Sequence, residues 1–189
     1  GELRCQQWRC QLVDLPGTYS LDANDEETPA DELIARQFLL AQEADLIINI
    51  IDGNNLQRHL YLTTQLLEMG IQLICVVNML DVAARHGKRI DCQALSQRLG
   101  VTVVPMVAAS GEGVDALQQA IANQLGTGQH AKPLIHADKT LAQALRQIEK
   151  QAPQTSRFIA THWLQHPANA PQPIRASVAH IRQQLILPQ

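Results

Sequence analysis

Cys10-Gln11-Leu12-Val13-Asp14-Leu15-Pro16-Gly17 is a short apolar run that stops abruptly at an aspartate, with a glycine three residues later. At the end of a buried strand, such an aspartate projects from the carboxyl edge of a sheet, where α/β proteins bind ligands. The glycine permits a tight turn, and its N–H can approach a phosphate oxygen. D-x-x-G fixes only two residues, so its weight depends on which companions follow it along the chain.

Working outward, Gly1 to Arg4 and Arg9 to Val13 flank the polar Gln6-Gln7 and read as an antiparallel hairpin leading into Asp14. Thr18 to Glu27 is polar, acidic and aperiodic, which predicts a loop. Thr28-Pro29-Ala30-Asp31 then supplies a cap and a first-turn proline for a helix with Leu33, Ile34, Phe38 and Leu39 on one face. Asp45 to Asp52 predicts a strand apolar on both faces, as in a covered parallel sheet. Asn54 or Asn55 caps the next helix, striped by Leu56, Leu60, Thr63 and Leu67. Ile71 to Val77 is another buried strand, running into Asn78-Met79-Leu80-Asp81.

A capped helix over Asp91 to Leu99 closes at Gly100, and Val101 to Val107 forms a further strand. Ala108-Ala109-Ser110-Gly111-Glu112-Gly113 is the loop after it, before a helix lined by Val114, Leu117, Ile121 and Leu125. Strands alternating with amphipathic helices specify a three-layer α/β sandwich. From Gly126-Thr127-Gly128 onward only helical pieces appear. Leu141, Leu145 and Ile148 mark the first, Phe158, Ile159 and Trp163 the second, and Ile174 to Leu187 the third. The expected division is an α/β domain over residues 1–126 and a small all-α appendage over 127–189.

The 189 residues suffice for one good core plus an appendage, and 46% apolar with 17% charged residues is globular composition. Aromatics make up 3%, so Leu, Ile, Val and Ala must build the core. A net charge of -3, with no basic run longer than Gly87-Lys88-Arg89, argues against a nucleic-acid surface. The four cysteines form no C-x-x-C pair, and Cys75 inside an apolar run suggests a buried thiol in a reducing compartment. No apolar stretch reaches the roughly 18 residues of a membrane span. His162 and His166 share a helical face without an acidic companion, which predicts a solvated helix end rather than a metal site.

The companions of D-x-x-G do follow. Asn78 and Asp81, after a buried strand, form N-x-x-D, a guanine-reading pattern. A carboxylate at Asp81 accepts hydrogen bonds from the ring N–H and the exocyclic amine of guanine, a donor pair that adenine lacks. The alternative is that both residues cap the turn after the strand. Met79 stands where many such domains carry lysine, and its stem can still cover the ring face. Ala108-Ala109-Ser110 occupies the place of S-A-x, whose backbone N–H contacts the guanine oxygen. Ala108 lacks the hydroxyl that would stiffen this loop, which predicts faster nucleotide release. In this scheme Asp14 holds Mg²⁺ through water, Gly17 senses the terminal phosphate, and Leu15 and Pro16 shape the turn between them. Thr18 replaces a water-orienting glutamine, which predicts slow hydrolysis. The polar tips at positions 14, 78 and 81 are expected on the rim of one β-sheet. The sequence contains no G-x-x-x-x-G-K-[ST], so the phosphate cradle is not among these residues. The expectation is that the natural protein begins some tens of residues earlier, and that residues 1–189 alone bind GTP poorly.

Asp14-Leu15-Pro16-Gly17-Thr18-Tyr19-Ser20-Leu21 resembles the switch-II signature of the FeoB ferrous iron transporters. Asn78-Met79-Leu80-Asp81 and the stretch Ala44 to Gly70 are similar to that family too. The resemblance implies a Ras-like P-loop GTPase fold, here without its first strand and phosphate loop, followed by a helical spacer acting on GDP affinity. It implies GTP, GDP and Mg²⁺ as ligands and the cytoplasmic face of a bacterial inner membrane as location. The implied partner is a C-terminal transmembrane region of the same protein that carries the iron path, and homo-oligomerisation stays open. Two other readings remain at this point: a non-catalytic interaction module with a degenerate nucleotide site, and another bacterial P-loop GTPase.

Overall fold

The structure is a computed structural model that describes residues 1–21, 29–41, 43–134, 137–153 and 155–185. The loop expected over Thr18 to Glu27, the cap at Thr28 and the end of the last helix at Leu187 therefore lie partly or wholly outside the described residues. The chain divides into two compact units, one of residues 1–67 and 71–132, the other of residues 68–70 and 133–189.

The first unit opens with an antiparallel hairpin, β1 (Glu2–Cys5) and β2 (Trp8–Gln11), paired from Glu2↔Gln11 to Cys5↔Trp8. Gln6, at φ 53°, takes the left-handed turn position. An Arg9–Glu2 ion pair at 2.9 Å spans the hairpin's exposed face. After α1 (Ala30–Ala41) come β3 (Ile47–Asp52), α2 (Leu56–Glu68), β4 (Leu73–Asn78), α3 (Leu80–Arg85), α4 (Cys92–Leu99), β5 (Thr102–Pro105) and α5 (Val114–Thr127). The three later strands form a parallel sheet in the order β3-β4-β5.

β4 is the central strand, and Leu73 through Val77 are all buried, as its unbroken apolar run requires. Period-two alternation divides the sheet's faces. Ile74 and Val76 pack in one cluster with Cys5 of the hairpin, Val104, Met106, and Ile121 and Ala122 of α5. On the opposite face Asn49 donates to Thr63 Oγ1 of α2 at 2.9 Å, so α2 covers that side. Burial beside Asn49 pushes the Cys75 thiol up to about 12, the Asn49 side-chain hydrogen bond acting the other way.

The structure corrects several local expectations. β3 is an edge strand of the parallel sheet, and Ile50 is 62% exposed, so its outer positions are not covered on both faces. The cap before α2 is Asp52, which accepts from Asn54 N at 2.8 Å, in place of Asn54 or Asn55. In α1 the buried positions are Ala35, Arg36 and Leu39, while Ile34 is 59% exposed. α5 passes through Gly126, and Ala131 N then bonds Ile71 O at 2.9 Å, which carries the first unit to Lys132.

In the second unit α6 (Lys139–Gln151), α7 (Arg157–Gln165) and α8 (Gln172–Gln184) share a core of Leu145, Ile148, Ala160, Leu164, Ile174, Val178 and Ile181. Asp138 and Ser156 cap the first two by accepting from Leu141 N at 2.8 Å and Ile159 N at 3.3 Å. The buried face of α7 is Ala160, His162 and Leu164, one step round from Phe158, Ile159 and Trp163. His162 is buried and stacks on His166 at 5.1 Å, so it is a packed side chain and not a solvated helix end.

Candidate functional site

The carboxyl rim of the parallel sheet is where its chemistry gathers. β3 and β4 end side by side, Asp52 opposite Asn78, and β5 ends at Pro105 beside Val77. Met106 N bonds Val77 O at 2.9 Å, carrying the pairing one step further.

Asn78 Oδ1 accepts from Ala108 N at 3.0 Å. That bond ties the turn after β4 to the loop after β5. Met79 adopts a left-handed conformation (φ 59°), is 43% exposed, and begins α3 without a side-chain cap. Leu80 starts the helix, and Asp81 lies exposed in its first turn, where the helix dipole favours a carboxylate. Asp81 pairs with Arg85 one turn on, at 3.0 Å.

The 108–110 loop is tightly organised. Ser110 Oγ donates to Val107 O at 3.0 Å and accepts from Glu112 N at 3.4 Å, while Gly111 N bonds Ala108 O at 3.2 Å. Gly113 follows at φ +90°, with Pro105 O where a side chain would begin. Ala108, Ala109 and Ser110 are exposed, and among the described residues the Ala109 N–H has no hydrogen-bond partner. The Ala109 N–H and the Asp81 carboxylate thus stand on two turns that the Asn78–Ala108 bond joins, one a donor and the other an acceptor.

Asp14 lies elsewhere in the topology. The hairpin extends as far as Leu12, through Gly1 N to Leu12 O at 2.8 Å and Leu12 N to Gly1 O at 2.7 Å. Asp14 and Gly17 beyond it are exposed, and Leu15 and Pro16 half-buried. The expectation of a single sheet rim is therefore corrected. Among the described residues no strand joins the hairpin to β3, and no hydrogen bond joins Asp14–Gly17 to Asn78–Asp81 or Ala108–Ser110. Leu12 and Val13 are 42% and 54% exposed. Thr18 Oγ1 is occupied by Ser20 O at 2.9 Å.

What fixes this segment lies just downstream, and sequence reasoning missed it. The Arg58 guanidinium lies 3.6 Å over the Tyr19 ring, and His59 meets the same ring edge-on at 5.4 Å. Leu21 is fully buried and its N–H donates to Gln65 Oε1 at 2.8 Å. Tyr19 was visible in the sequence only as part of D-L-P-G-T-Y-S-L, and nothing in α2's periodicity marks Arg58 or Gln65 as its partners.

The residues suit a guanine base and a single water-coordinated Mg²⁺. The base side offers carboxylate, amide and backbone N–H, and Mg²⁺ needs few protein ligands because it keeps its waters and takes phosphate oxygens. Asp14, an exposed carboxylate, fits that limited part.

The family model described as "Ferrous iron transport protein B" matches residues 1–121. The chain is 45% identical over 152 residues to a Salmonella typhimurium "Fe(2+) transporter FeoB", a match covering 78% of this chain and 20% of that protein. It therefore spans about a fifth of the length of that relative. Its fold is similar to the cytosolic domain of L. pneumophila FeoB (TM-score 0.76, 35% identity, 97% of this chain and 78% of that one). It is also similar to mGMPPNP-bound NFeoB from S. thermophilus (TM-score 0.71, 35% identity, 90% and 67%). No helix among the described residues is long and apolar enough to cross a membrane.

Proposed function

The chain belongs to the FeoB family of ferrous iron transport proteins, and from that premise we propose that it is a GTP-binding, slowly hydrolysing domain of a ferrous iron transporter. The observation that carries this reading is the Asn78–Ala108 bond, which joins the two loops at adjacent strand ends.

Asp81 accepts the two N–H donors of guanine, and the Ala109 N–H, with Ala108 and Ser110 shaping its loop, meets the guanine oxygen. Met79 and Leu80 cover the ring. Adenine presents an acceptor and an amine in the wrong places, so a desolvated Asp81 rejects it. Asp14 holds Mg²⁺ through water, which when bound neutralises phosphate charge, and the Gly17 N–H meets the terminal phosphate. Leu15 and Pro16 set the spacing of those two groups. Thr18, with its hydroxyl turned to Ser20, orients no water, in keeping with slow turnover. Residues through Lys132 form the nucleotide-binding part, and those from Pro133 onward a helical spacer that relays nucleotide state to a transmembrane region at the cytoplasmic face. A polypeptide of residues 1–189 alone, without G-x-x-x-x-G-K-[ST], binds GTP weakly.

The test is competition in the full-length protein. A fluorescent GDP analogue is displaced by GDP and GTP at concentrations where ADP and ATP have no effect. Equal displacement by adenine nucleotides would refute the reading.

A further inference from the structure

Asp81 sits on a helix that cannot position itself. α3 has six residues and no side-chain cap at its start, and helices this short are not stable alone. Its far end, however, is held. His86 N bonds Val82 O at 3.1 Å and Lys88 N bonds Ala83 O at 2.9 Å, fixing the segment after α3 to the helix. From that segment Lys88 Nζ reaches Asn54 O at 2.5 Å and Asn54 Oδ1 at 3.2 Å, and His86 Nδ1 lies 2.9 Å from Asn54 Oδ1. Lysine can only donate, so Asn54 presents its oxygen there and His86 donates from Nδ1.

Asn54 is itself fixed from the sheet side. Its N–H donates to Asp52 Oδ1 at 2.8 Å, and Asn55 Nδ2 donates to Asp52 Oδ2 at 2.8 Å. Burial would raise the Asp52 carboxyl, but these hydrogen bonds and the nearby His59 outweigh it and hold it below the usual carboxylate range. Gly53 packs so closely that a Cβ there would stand 3.0 Å from Asn78 O. The turn after β3 thus touches the turn after β4 directly and grips α3 from behind.

We propose that the Asp52–Asn55 turn is a bracket for the guanine-reading turn, with Asn54 as the positioning residue that sets how long a bound guanine nucleotide stays. The inference rests on the assignment of Asn78-Met79-Leu80-Asp81 to the base. Releasing the bracket lets α3, and Asp81 with it, drift while the carboxylate that chooses the base is kept. The effect therefore falls on dissociation and not on base preference.

The experiment measures release of a fluorescent GDP analogue from the full-length protein, with thermal unfolding of the nucleotide-free protein alongside. Asn54→Ala and Lys88→Ala each speed release about fivefold, as expected for partly solvated hydrogen bonds, and the double variant does little more than either. Asn54→Asp, which keeps a side-chain acceptor oxygen for Lys88 and His86, releases as slowly as the unaltered protein, and the unfolding temperatures stay together. Preference for GDP over ADP is the same in all of them. Unchanged release in Asn54→Ala and Lys88→Ala, with binding abolished by Asp81→Ala, would overturn the bracket and leave the base assignment standing. Equally fast release in Asn54→Asp would overturn it too. Binding that survives Asp81→Ala would remove the base assignment, and the bracket with it.

Discussion

The loops after β4 and β5 grow from neighbouring strands of one sheet and are bonded to each other, whereas Asp14–Gly17 follows a separate hairpin and is anchored downstream through Tyr19 and Leu21. The difference lies in what holds each region. The base side is set by strand register and buried apolar packing, so its geometry is built into the fold. The Asp14–Gly17 segment is held upstream by the hairpin, whose Cys5 packs into the sheet's core, and downstream by a stacked ring and one buried leucine. Under the function proposed above, this asymmetry would give a fixed surface for the base and a looser one for the terminal phosphate.

The sharpest way to break the base side is Gly113→Ala. At φ +90°, with Pro105 O only 2.3 Å from the new Cβ, the loop must move or the strand end must yield. A loss of about 3 kcal/mol in urea unfolding is expected. A loss near zero would mean the loop is less fixed than its bonds suggest.

Alkaline pH probes the sheet beneath it. The Cys75 thiol, pushed up to about 12 by burial, keeps its proton in the folded state well above the pH at which an exposed thiol loses it. That contribution is fully present below about pH 9 and is lost as pH rises through about 12, on the order of 4 kcal/mol. Stability measured across that range should decline less steeply in Cys75→Val.

Asn78→Ala leaves the Ala108 N–H without its partner and should cost about 1 kcal/mol of stability, with a larger fall in guanine-nucleotide affinity. Tyr19→Ala, on the looser side, should cost less than about 1 kcal/mol globally. It should nevertheless speed proteolysis near residue 19 several-fold, a contrast that Asn78→Ala does not show. Smallest is Arg85→Ala. Its ion pair with Asp81 is 71% and 46% exposed, so unfolding should shift by about 0.3 kcal/mol.

Much of the parallel sheet and of the turns at its rim was legible in the sequence because the signals are local. The run Leu73–Val77 announces a strand covered on both faces, and Asp91 and Gly100 announce the ends of α4. Asn78 then ends the strand, and Asp81 follows in the first turn of α3. The failures share a cause. Ile50 and Ile34 are apolar in sequence yet exposed, Ile50 because β3 is an edge strand, and strand order is not encoded in a local pattern. Asp52 outcompetes Asn54 and Asn55 as the cap because the carboxylate meets both partners. Tyr19 on Arg58, and Asn54 under Lys88, join residues more than thirty positions apart, and their side chains carry no periodicity to read.

The claim that residues 78–81 and 108–110 read guanine is tested most directly by exchanging the acceptor pair at Asp81. In the full-length protein Asp81→Asn should lose GTP and gain xanthosine triphosphate, whose ring carries a carbonyl where guanine carries its amine. A variant that keeps the original preference for GTP would contradict the assignment of Asp81, and with it the account of this site.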